Sequence, residues 1–287
     1  MTRATTMGFA GLALCGFASN SILCRLALAT HEMDAASFTA LRLLSGALVL
    51  VGLQALSERT TPGVRRLAGS WGSALALVLY ALPFSWAYLR LGAGPGAFIL
   101  FATVQLVMMG WGFVRGERPR AMAWVGIGIG LSGLVWLTLP GSFAPDPLGT
   151  ASMIVAGVAW AAYTLRGRTS SSSPLAVTAG NFVRALPAVP LLAVGAWAMG
   201  IRDISTRGAV LACASGALAS GVGYSLWYTA LPHLTSTRAA ALQLLVPVLA
   251  ASGAVAFLAE PVTTRLAGGG TVMILGVFIA VRARAKA

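Results

Sequence analysis

Three amide side chains, Asn20, Gln105 and Gln243, lie in the middle of long apolar stretches of this sequence. An amide in such surroundings needs hydrogen-bond partners that one helix does not supply, so it faces neighbouring helices or a bound solute. Amides can satisfy an ammonium group and a carboxylate together, while aromatic rings cover an apolar side chain. We therefore expect these residues to contribute to a site for an amino acid or another small amphipathic solute.

Two arginines, Arg42 and Arg184, lie roughly two turns inside apolar stretches, which is about 10 Å deep at a rise of ~1.5 Å per residue. An arginine at that depth could bind a substrate carboxylate through a bidentate hydrogen bond. It could equally extend to lipid headgroups or donate to helix carbonyls. The sequence favours a structural or gating role for both residues.

Acidic and histidine side chains are missing from the middle of the apolar stretches. They fall in loops or at the ends of the stretches: Glu32, Asp34, Glu58, Glu117, Asp146, Asp203, Glu260, His31 and His233. Proton-coupled transporters commonly use a membrane-buried Asp or Glu, so we expect no proton coupling through such a group. The same pattern argues against a pump for organic cations, and we expect no catalytic centre, no metal site and no cofactor.

The elements that must position these residues are membrane-spanning helices. Of the 287 residues, 57% are hydrophobic and 9% are charged, whereas soluble domains carry about 25% charged residues. The apolar residues come in blocks of about 20, the length that a helix needs to cross ~30 Å of hydrocarbon. The sequence predicts an all-α membrane protein with ten transmembrane helices: Met7–Cys24, Ala35–Leu56, Gly69–Leu89, Gly96–Val114, Met122–Leu139, Leu148–Leu165, Leu175–Met199, Gly208–Leu231, Thr235–Leu258 and Leu266–Val281.

Positive charges are distributed unevenly between the two sides of the membrane. Of the 20 Lys and Arg residues, thirteen lie in one set of alternate loops and five in the other. Cytoplasmic loops are enriched in Lys and Arg, so both termini are predicted to be cytoplasmic. The charges form short clusters between apolar blocks, which argues against a nucleic acid partner.

The two halves of the chain resemble each other. The segments Phe38–Arg42 and Gly180–Arg184 lie about 142 residues apart, and Ala97–Glu117 aligns with Ala240–Glu260. Five spans per half is an odd number, so the second half must cross the membrane in the opposite sense, as in transporters that work by alternating access. The predicted domains are two inverted five-helix repeats, residues 1–144 and 145–287.

The segments Arg238–Ala241, Leu245–Val248 and Ala259–Pro261 together resemble the ninth-helix signature of the EamA-type drug/metabolite transporters, with its small residues, Leu-x-Pro-Val and final glutamate. Arg42 and Arg184 fit the second and seventh helices of that family. The layout of ten helices extends the resemblance over essentially the whole chain. Within the family, the sequence is most similar to the YddG-type amino-acid exporters.

This resemblance implies a central cavity lined by helices one, three, four, six, eight and nine, with helices five and ten at the periphery. On those cavity helices we expect the substrate to contact Phe17, Asn20, Tyr80, Phe101, Gln105, Trp160, Tyr163, Tyr224 and Gln243. The family often has proline where this chain has Val104, so helices four and nine are not expected to kink alike. We assign gating or structural roles to Arg42, Arg184, Pro95 and Pro247.

For two further features, the sequence favours a structural interpretation. Trp86, Tyr88, Trp227 and Tyr228 lie near span ends, where aromatic residues are more often interfacial anchors than cavity residues. The glycine-rich segment Gly126–Gly133 resembles a nucleotide-binding loop, but no soluble strand precedes it. We expect it to pack against another helix instead.

The sequence therefore predicts a bacterial inner-membrane exporter of aromatic and other neutral amino acids and related small metabolites, and not an enzyme. Its expected partners are the transported solute and membrane lipid, with the chain present as a monomer or weak homodimer. A broad-specificity drug or metabolite exporter is one alternative. An intramembrane lipid-modifying enzyme and a membrane scaffold are alternatives from other classes, but the first lacks a reactive constellation and the second leaves the repeat unexplained.

Overall fold

The computed structural model of the protein is helical in nearly all of the residues that it describes, which are 1–29, 32–60, 67–91, 93–118, 120–138, 146–170, 172–198, 204–258 and 264–282. The helices are α1 (Arg3–Ala29), α2 (Ala35–Thr60), α3 (Trp71–Arg90), α4 (Ala93–Val114), α5 (Ala121–Thr138), α6 (Pro147–Arg168), α7 (Pro174–Ala185), α8 (Ala188–Ala198), α9 (Thr206–Ala214), α10 (Gly223–Ala230), α11 (Ser236–Gln243), α12 (Leu245–Leu258) and α13 (Thr264–Arg282). A π-helical segment, Ser215–Val222, joins α9 to α10, and one 3₁₀ turn, Leu231–His233, follows α10.

Short polar side chains fix where several helices begin. Asp146 accepts a hydrogen bond from the backbone N–H of Gly149 at 2.7 Å, and Pro147 occupies the first position of α6. Such a cap satisfies one of the N–H groups that the first turn leaves without a helical partner. The same arrangement starts other helices, with the capping residues Ser70, Ser173, Ser205 and Thr235.

Each predicted span overlaps one helix or one run of consecutive helices. Within the ranges that the structure describes, six helical stretches are long and apolar enough to cross a membrane: Arg3–Leu28, Ala35–Ser57, Trp71–Arg90, Pro147–Arg168, Pro174–Ala198 and Thr206–His233. Large apolar side chains cover the outside of the bundle, as at Leu48, Leu106 and Leu191, which are 65%, 69% and 74% exposed. An apolar exterior of this kind is stable in lipid and not in water.

Two of the predicted spans are divided into two helices, and each division lies close to a proline. The seventh span divides into α7 and α8 just before Pro187, while the ninth divides into α11 and α12 at Leu244. Pro247 has no N–H to donate to the carbonyl of Gln243 four residues earlier, so the α-helical bonding is interrupted there. The fourth span, with Val104 at the related position, is the single helix α4.

The helices pack in a consistent pattern around a centre formed by α1, α3, α6 and α10. In the second half, α6 packs against α3 and α4 of the first half. In the first half, α1 packs against α10 and α12 of the second half. The last helix of each half, α5 and α13, pack against each other away from this centre.

Glycines allow the close contact of α5 with α13. A Cβ added at Gly126 would lie 2.5 Å from the backbone nitrogen of Ala280, and one added at Gly133 would lie 2.7 Å from the carbonyl oxygen of Gly269. Distances this short leave no space for a side chain, so the two backbones meet directly. The prediction that Gly126–Gly133 is a helix-packing surface is confirmed.

Some predictions lie outside the described residues. The proposed domain boundary between residues 144 and 145 is among them, as are His31, Asp203 and Glu260. Pro95 lies in the first turn of α4, but its side chain is also outside the described part of the chain.

Candidate substrate site

Five of the predicted substrate residues form one buried group of aromatic rings, which we call the aromatic cluster: Phe17, Tyr80, Trp160, Tyr163 and Tyr224. The indole of Trp160 is at its centre. Its ring centroid lies 5.0 Å from that of Phe17, 4.9 Å from that of Tyr80 and 4.7 Å from that of Tyr224. The tilted and edge-on geometries are those that aromatic pairs prefer. The cluster therefore joins four helices, α1, α3, α6 and α10.

Helical spacing explains why these residues meet. Trp160 and Tyr163 are three residues apart on α6, so both side chains lie on the same face of the helix and stack at 5.7 Å. On α1, Phe17 and Asn20 have the same spacing and both are buried. On both α1 and α6, the sequence thus places an aromatic residue and a second polar or aromatic residue on one face of the helix.

Two of the three amides join the cluster through hydrogen bonds. The indole Nε1 of Trp160 donates to Oε1 of Gln243 at 2.5 Å, and Nε2 of Gln243 donates in turn to the sulfur of Met108 at 3.2 Å. Nδ2 of Asn20 lies 3.1 Å from Oγ of Ser220 and 3.3 Å from the hydroxyl of Tyr224, and donates to both. Gln243 and Asn20 are therefore bonded to the cluster, as their positions in apolar spans predicted.

The two predicted residues on α4 are buried, but they belong less closely to this group. Gln105 donates to the sulfur of Met109 on its own helix at 3.2 Å. Phe101 is 6% exposed and packs in the core of the bundle. Among the described residues, the hydrogen bonds and ring contacts that join the other seven predicted residues do not extend to these two.

Arg42 is fully inside the bundle, with 1% of its surface exposed. Its Nε donates to Oγ of Ser220 at 2.8 Å, and its Nη2 donates to the hydroxyl groups of Tyr224 at 2.5 Å and Tyr80 at 3.4 Å. The guanidinium carbon also lies 5.2 Å from the centre of the Tyr80 ring, within cation–π range. Arg42 is thus attached to two members of the aromatic cluster.

Arg184, the related residue of the second half, has different surroundings. Its Nη1 donates to the carbonyl oxygens of Ala68 at 2.6 Å and Gly180 at 2.9 Å. Ala68 precedes α3 and Gly180 lies on α7, so Arg184 joins the two segments through their backbones. Donation to backbone carbonyls was one of the alternatives that the sequence left open for this residue.

The π-helical segment is a feature that the sequence did not predict. It carries Ser215 and Ser220, which bond to Asn20 and Arg42, and it leads directly into Tyr224. A Cβ added at Gly216 would collide with the backbone carbonyl of Arg42, so glycine is what lets this segment approach α2. Single π turns within α-helices are often found at functional sites.

The expectation that Trp227 and Tyr228 are interfacial anchors is wrong. Trp227 is 0% exposed and its ring lies 5.6 Å from that of Phe17. Tyr228 is 1% exposed and donates its hydroxyl to the carbonyl oxygen of Tyr163 at 2.8 Å. Both residues lie in α10, which packs against α1 and α7, and so they are surrounded by protein and not by headgroups.

At one end of the bundle, Glu117 joins three of the helices that carry predicted substrate residues. It follows α4, accepts a hydrogen bond from Arg168 at the end of α6 at 2.8 Å, and accepts another from the backbone N–H of Ser236 at the start of α11 at 2.9 Å. Its second oxygen accepts from the backbone and the hydroxyl of Thr237. We call this group the Glu117 latch.

The protonation of Glu117 follows from these partners. Partial burial disfavours the charged form, but hydrogen bonds from Ser236, Arg168 and Thr237 outweigh it and hold the pKa of the carboxyl below its ordinary value of 4.5. The latch is therefore intact at neutral pH.

A cavity of about 690 Å³ lies beside α6, but not on the side of the aromatic cluster. Its lining includes Val158, Ala162 and Leu165. A helix turns by about 100° per residue, which puts this row of residues on the face opposite Trp160 and Tyr163. The cavity and the aromatic cluster are therefore separated by α6. Within the described residues, no group of His, Cys, Asp and Glu side chains is arranged to hold a metal ion.

Comparison with known proteins agrees with this architecture. A protein of Pseudomonas aeruginosa that is described as uncharacterized is 47% identical over 265 residues, which cover 92% of this chain and 90% of the relative. An uncharacterized transporter of Archaeoglobus fulgidus is 30% identical and shares 70% of this chain and 71% of its own length. The threonine/homoserine exporter RhtA of Salmonella typhimurium is 29% identical over 80% of this chain and 76% of its own.

The fold is also found in a solved structure. A crystal structure of another protein superimposes with a TM-score of 0.79 over 99% of both chains, at 19% sequence identity. Residues 147–282 match the EamA-like transporter family. With the relatives above, this match shows that the chain belongs to the EamA-like transporter family and is a membrane-embedded transporter.

Proposed function

We propose that this transporter exports amino acids and related small metabolites across the bacterial inner membrane by alternating access. The observation that carries the proposal is the aromatic cluster with its bonded amides, Asn20 and Gln243, at the centre of the helices. Rings that can cover an apolar side chain, beside amides that can bind an ammonium or carboxylate group, suit a neutral amino acid. The relative RhtA, named as a threonine/homoserine exporter, supports this substrate class.

The packing of the helices supports the proposed ten-span, inverted arrangement. The contact of α3 with α6 has its counterpart in α10 with α1, and the contact of α4 with α6 has its counterpart in α12 with α1. Contacts that exchange in this way are expected when two halves are related by a two-fold axis in the membrane plane. On this basis we divide the chain at residues 144 and 145 and count α4, α5, the α11–α12 pair and α13 as further spans.

Alternating access requires that the central residues separate from one another. The rings of the aromatic cluster are now in contact, so a solute can be bound only after they move apart. We propose that the Glu117 latch closes the cytoplasmic end of the site, because it joins α4, α6 and α11 where the excess of basic loops lies. The breaks near Pro247 and the start of α4 at Pro95 are the proposed hinges, and both termini are proposed to be cytoplasmic.

We propose that transport is downhill or by exchange, without a proton carried on a buried carboxylate. In the described part of the chain, Asp34 and Asp146 cap helices, while Glu32 and Glu117 pair with arginines at helix ends. These carboxylates lie at the ends of the bundle, and none of these hydrogen bonds or ion pairs goes to the aromatic cluster. The YddG-type amino-acid exporters remain the group that the chain is expected to resemble, and a monomer or weak homodimer is the expected state.

The proposal is tested by efflux from proteoliposomes that contain only the purified protein and a panel of labelled neutral amino acids. Efflux of several neutral amino acids, unchanged by an imposed pH gradient, is the expected result. Efflux of organic cations or sugars alone would replace the substrate class with that of a broad drug or metabolite exporter. Efflux that follows the pH gradient would overturn the uncoupled mechanism.

A further inference from the structure

The charge of Arg42 has no counter-charge among the described residues. Its hydrogen bonds go to three neutral hydroxyl groups, those of Ser220, Tyr80 and Tyr224, and no described carboxylate lies within ion-pair distance. A guanidinium that is removed from water and left without an anion is unfavourable, especially at membrane depth. Hydroxyl dipoles reduce this cost but do not cancel the charge.

One nitrogen of the guanidinium is still unused. Nη1 of Arg42 is buried and donates to no group in the described part of the chain. Buried donors in proteins are almost always paired, and those that are not require a specific explanation. An unpaired donor on an uncompensated cation is what a binding site for an anion provides when the anion is absent.

This donor lies at the edge of the aromatic cluster. The same guanidinium bonds to the hydroxyl groups of Tyr80 and Tyr224, which belong to the cluster, and Asn20 shares Ser220 and Tyr224 with it. A solute whose apolar part lies among the rings would have its acidic group next to Arg42.

The corresponding arginine of the second half, Arg184, has different hydrogen-bond partners. Nη1 of Arg184 donates to two backbone carbonyls, whereas Nη1 of Arg42 donates to none. The two residues have similar places in the repeat but different chemistry. Arg184 holds the backbone together, and Arg42 presents a charge to the interior.

We propose that Arg42 binds the carboxylate of the transported solute through Nη1, and that this residue makes the transporter selective for substrates with a free carboxylate. The inference rests on the proposed function, since it assigns one contact of the same site. The hydroxyl groups of Ser220, Tyr80 and Tyr224 hold the guanidinium in place before the substrate arrives. Amino acids and other small carboxylic acids fit this contact, while amines and amides of the same shape do not.

The test compares L-phenylalanine with two probes that keep the ring and the ammonium group but have no carboxylate, the near-isosteric phenylalaninamide and the smaller phenethylamine, as competitors of labelled L-phenylalanine efflux from proteoliposomes. Loss of a charge-assisted contact typically weakens binding by about ten- to a hundredfold. In wild type, L-phenylalanine is expected to compete more strongly than the two probes without a carboxylate, by about that factor. Arg42→Gln is expected to lose this preference for the free acid. Arg42→Lys keeps the charge but not the planar fork, so it should retain part of it.

Arg184→Gln is the matched control, because it removes an arginine at the related position without touching the aromatic cluster. It is expected to lower the thermal stability of the protein while the preference for the free acid persists. If Arg42→Gln keeps that preference, or if wild type does not discriminate between acid and amide, the assignment of Arg42 is overturned.

A second measurement separates this inference from the proposed function and does not require transport. Hydrocinnamate, which has the ring and the carboxylate but no ammonium group, should raise the melting temperature of purified wild type and of Arg184→Gln, but not that of Arg42→Gln. Should no amino acid be transported while hydrocinnamate still stabilises wild type through Arg42, the proposed function fails and the anion site stands. If hydrocinnamate stabilises wild type and Arg42→Gln equally, the anion site fails. Should Arg42→Gln not fold, Tyr224→Phe, which removes one hydroxyl that positions the guanidinium, should weaken the hydrocinnamate effect in the same direction.

Discussion

Trp160 and Gln243 are joined by a hydrogen bond of 2.5 Å between the indole Nε1 and the amide Oε1, both of them buried. The bond ties α6 to α11, and Gln243 extends it to α4 through the sulfur of Met108. Three helices are thus held around the aromatic cluster by one amide. Because both partners are out of contact with water, neither can be removed without leaving the other unsatisfied.

Trp160→Phe should therefore destabilise the protein more than the loss of ring size explains. The change leaves the amide oxygen of Gln243 without its donor, which typically costs about 1–3 kcal/mol. Trp227→Phe is the control, because the indole N–H of Trp227 is equally buried and has no partner among the described residues. Thermal unfolding in detergent should show a lower melting temperature for Trp160→Phe than for Trp227→Phe, and equal losses would contradict the importance of the bond.

Glu117→Gln should weaken the Glu117 latch in a pH-dependent manner. The pKa of Glu117 is lowered in the folded protein, so the carboxylate stabilises the fold above its ordinary pKa of 4.5, and this contribution is lost as the pH falls through the folded value. Wild type should be more stable than Glu117→Gln at pH 7, and the difference should shrink below about pH 4.5.

The control for the latch is Glu32→Gln at the opposite end of the bundle. Glu32 pairs with Arg207 at 3.3 Å, but the Arg207 side chain is 60% exposed, and exposed ion pairs contribute roughly 0–1 kcal/mol. Glu32→Gln is expected to lower the melting temperature less than Glu117→Gln does when both are measured by thermal unfolding between pH 3 and pH 7. A difference between wild type and Glu117→Gln that does not change with pH would contradict the proposed role of the charge.

Asn20→Asp should give Arg42 a permanent internal anion. The two residues share Ser220 and Tyr224 as partners, so a carboxylate at position 20 would compete with that of the substrate. We expect efflux of amino acids to fall about tenfold or more, as for the loss of a charge-assisted contact, while the protein folds normally. Asn20→Ala removes the amide without adding charge and should impair efflux less, which the same proteoliposome assay would measure.

Gly276→Ala should destabilise the contact of α5 with α13. The added Cβ would lie 2.5 Å from the carbonyl oxygen of Gly126, and since that oxygen belongs to the backbone, the helices must separate, at a cost of about 1–3 kcal/mol. Gly128→Ala is not expected to destabilise the protein, because nothing lies within 4 Å of its added Cβ and alanine has a higher helix propensity than glycine. Melting temperatures that fall for the first variant and do not fall for the second would agree with the packing.

The positions of the helices and the burial of most members of the candidate site could be predicted from sequence, because both depend on local patterns. Apolar blocks of membrane length mark the helices. An amide or aromatic side chain inside such a block is expected to face the interior of the helix bundle. This was enough to identify Asn20, Trp160 and Gln243. Which groups bond to each other depends on how helices distant in sequence pack, and no local pattern contains that information.

The missed features have the same cause. The π-helical segment consists of Gly, Ala, Ser, Leu and Val residues that are equally compatible with an ordinary helix. Trp227 and Tyr228 lie near a span end, where lipid headgroups and a neighbouring helix are indistinguishable from sequence. The difference between the partners of Arg42 and Arg184 could not be predicted for the same reason. The two halves resemble each other in sequence but differ in the groups that surround each guanidinium.

The winding of Ser215–Val222 has a consequence for how the interior can be rearranged. Each π-helical hydrogen bond spans one residue more than an α-helical bond, so the segment contains a surplus that an ordinary helix would not. If this extra residue per turn moves to another position along the span, the residues in between rotate about the helix axis by about 100°. The rest of the helix keeps its hydrogen bonds. Ser220 and Tyr224 would then turn away from Arg42 together, releasing the guanidinium from two of its hydroxyl partners in a single step. Rotation of this one helix would in this way change the hydrogen bonding of the charged Arg42 side chain at the centre of the protein.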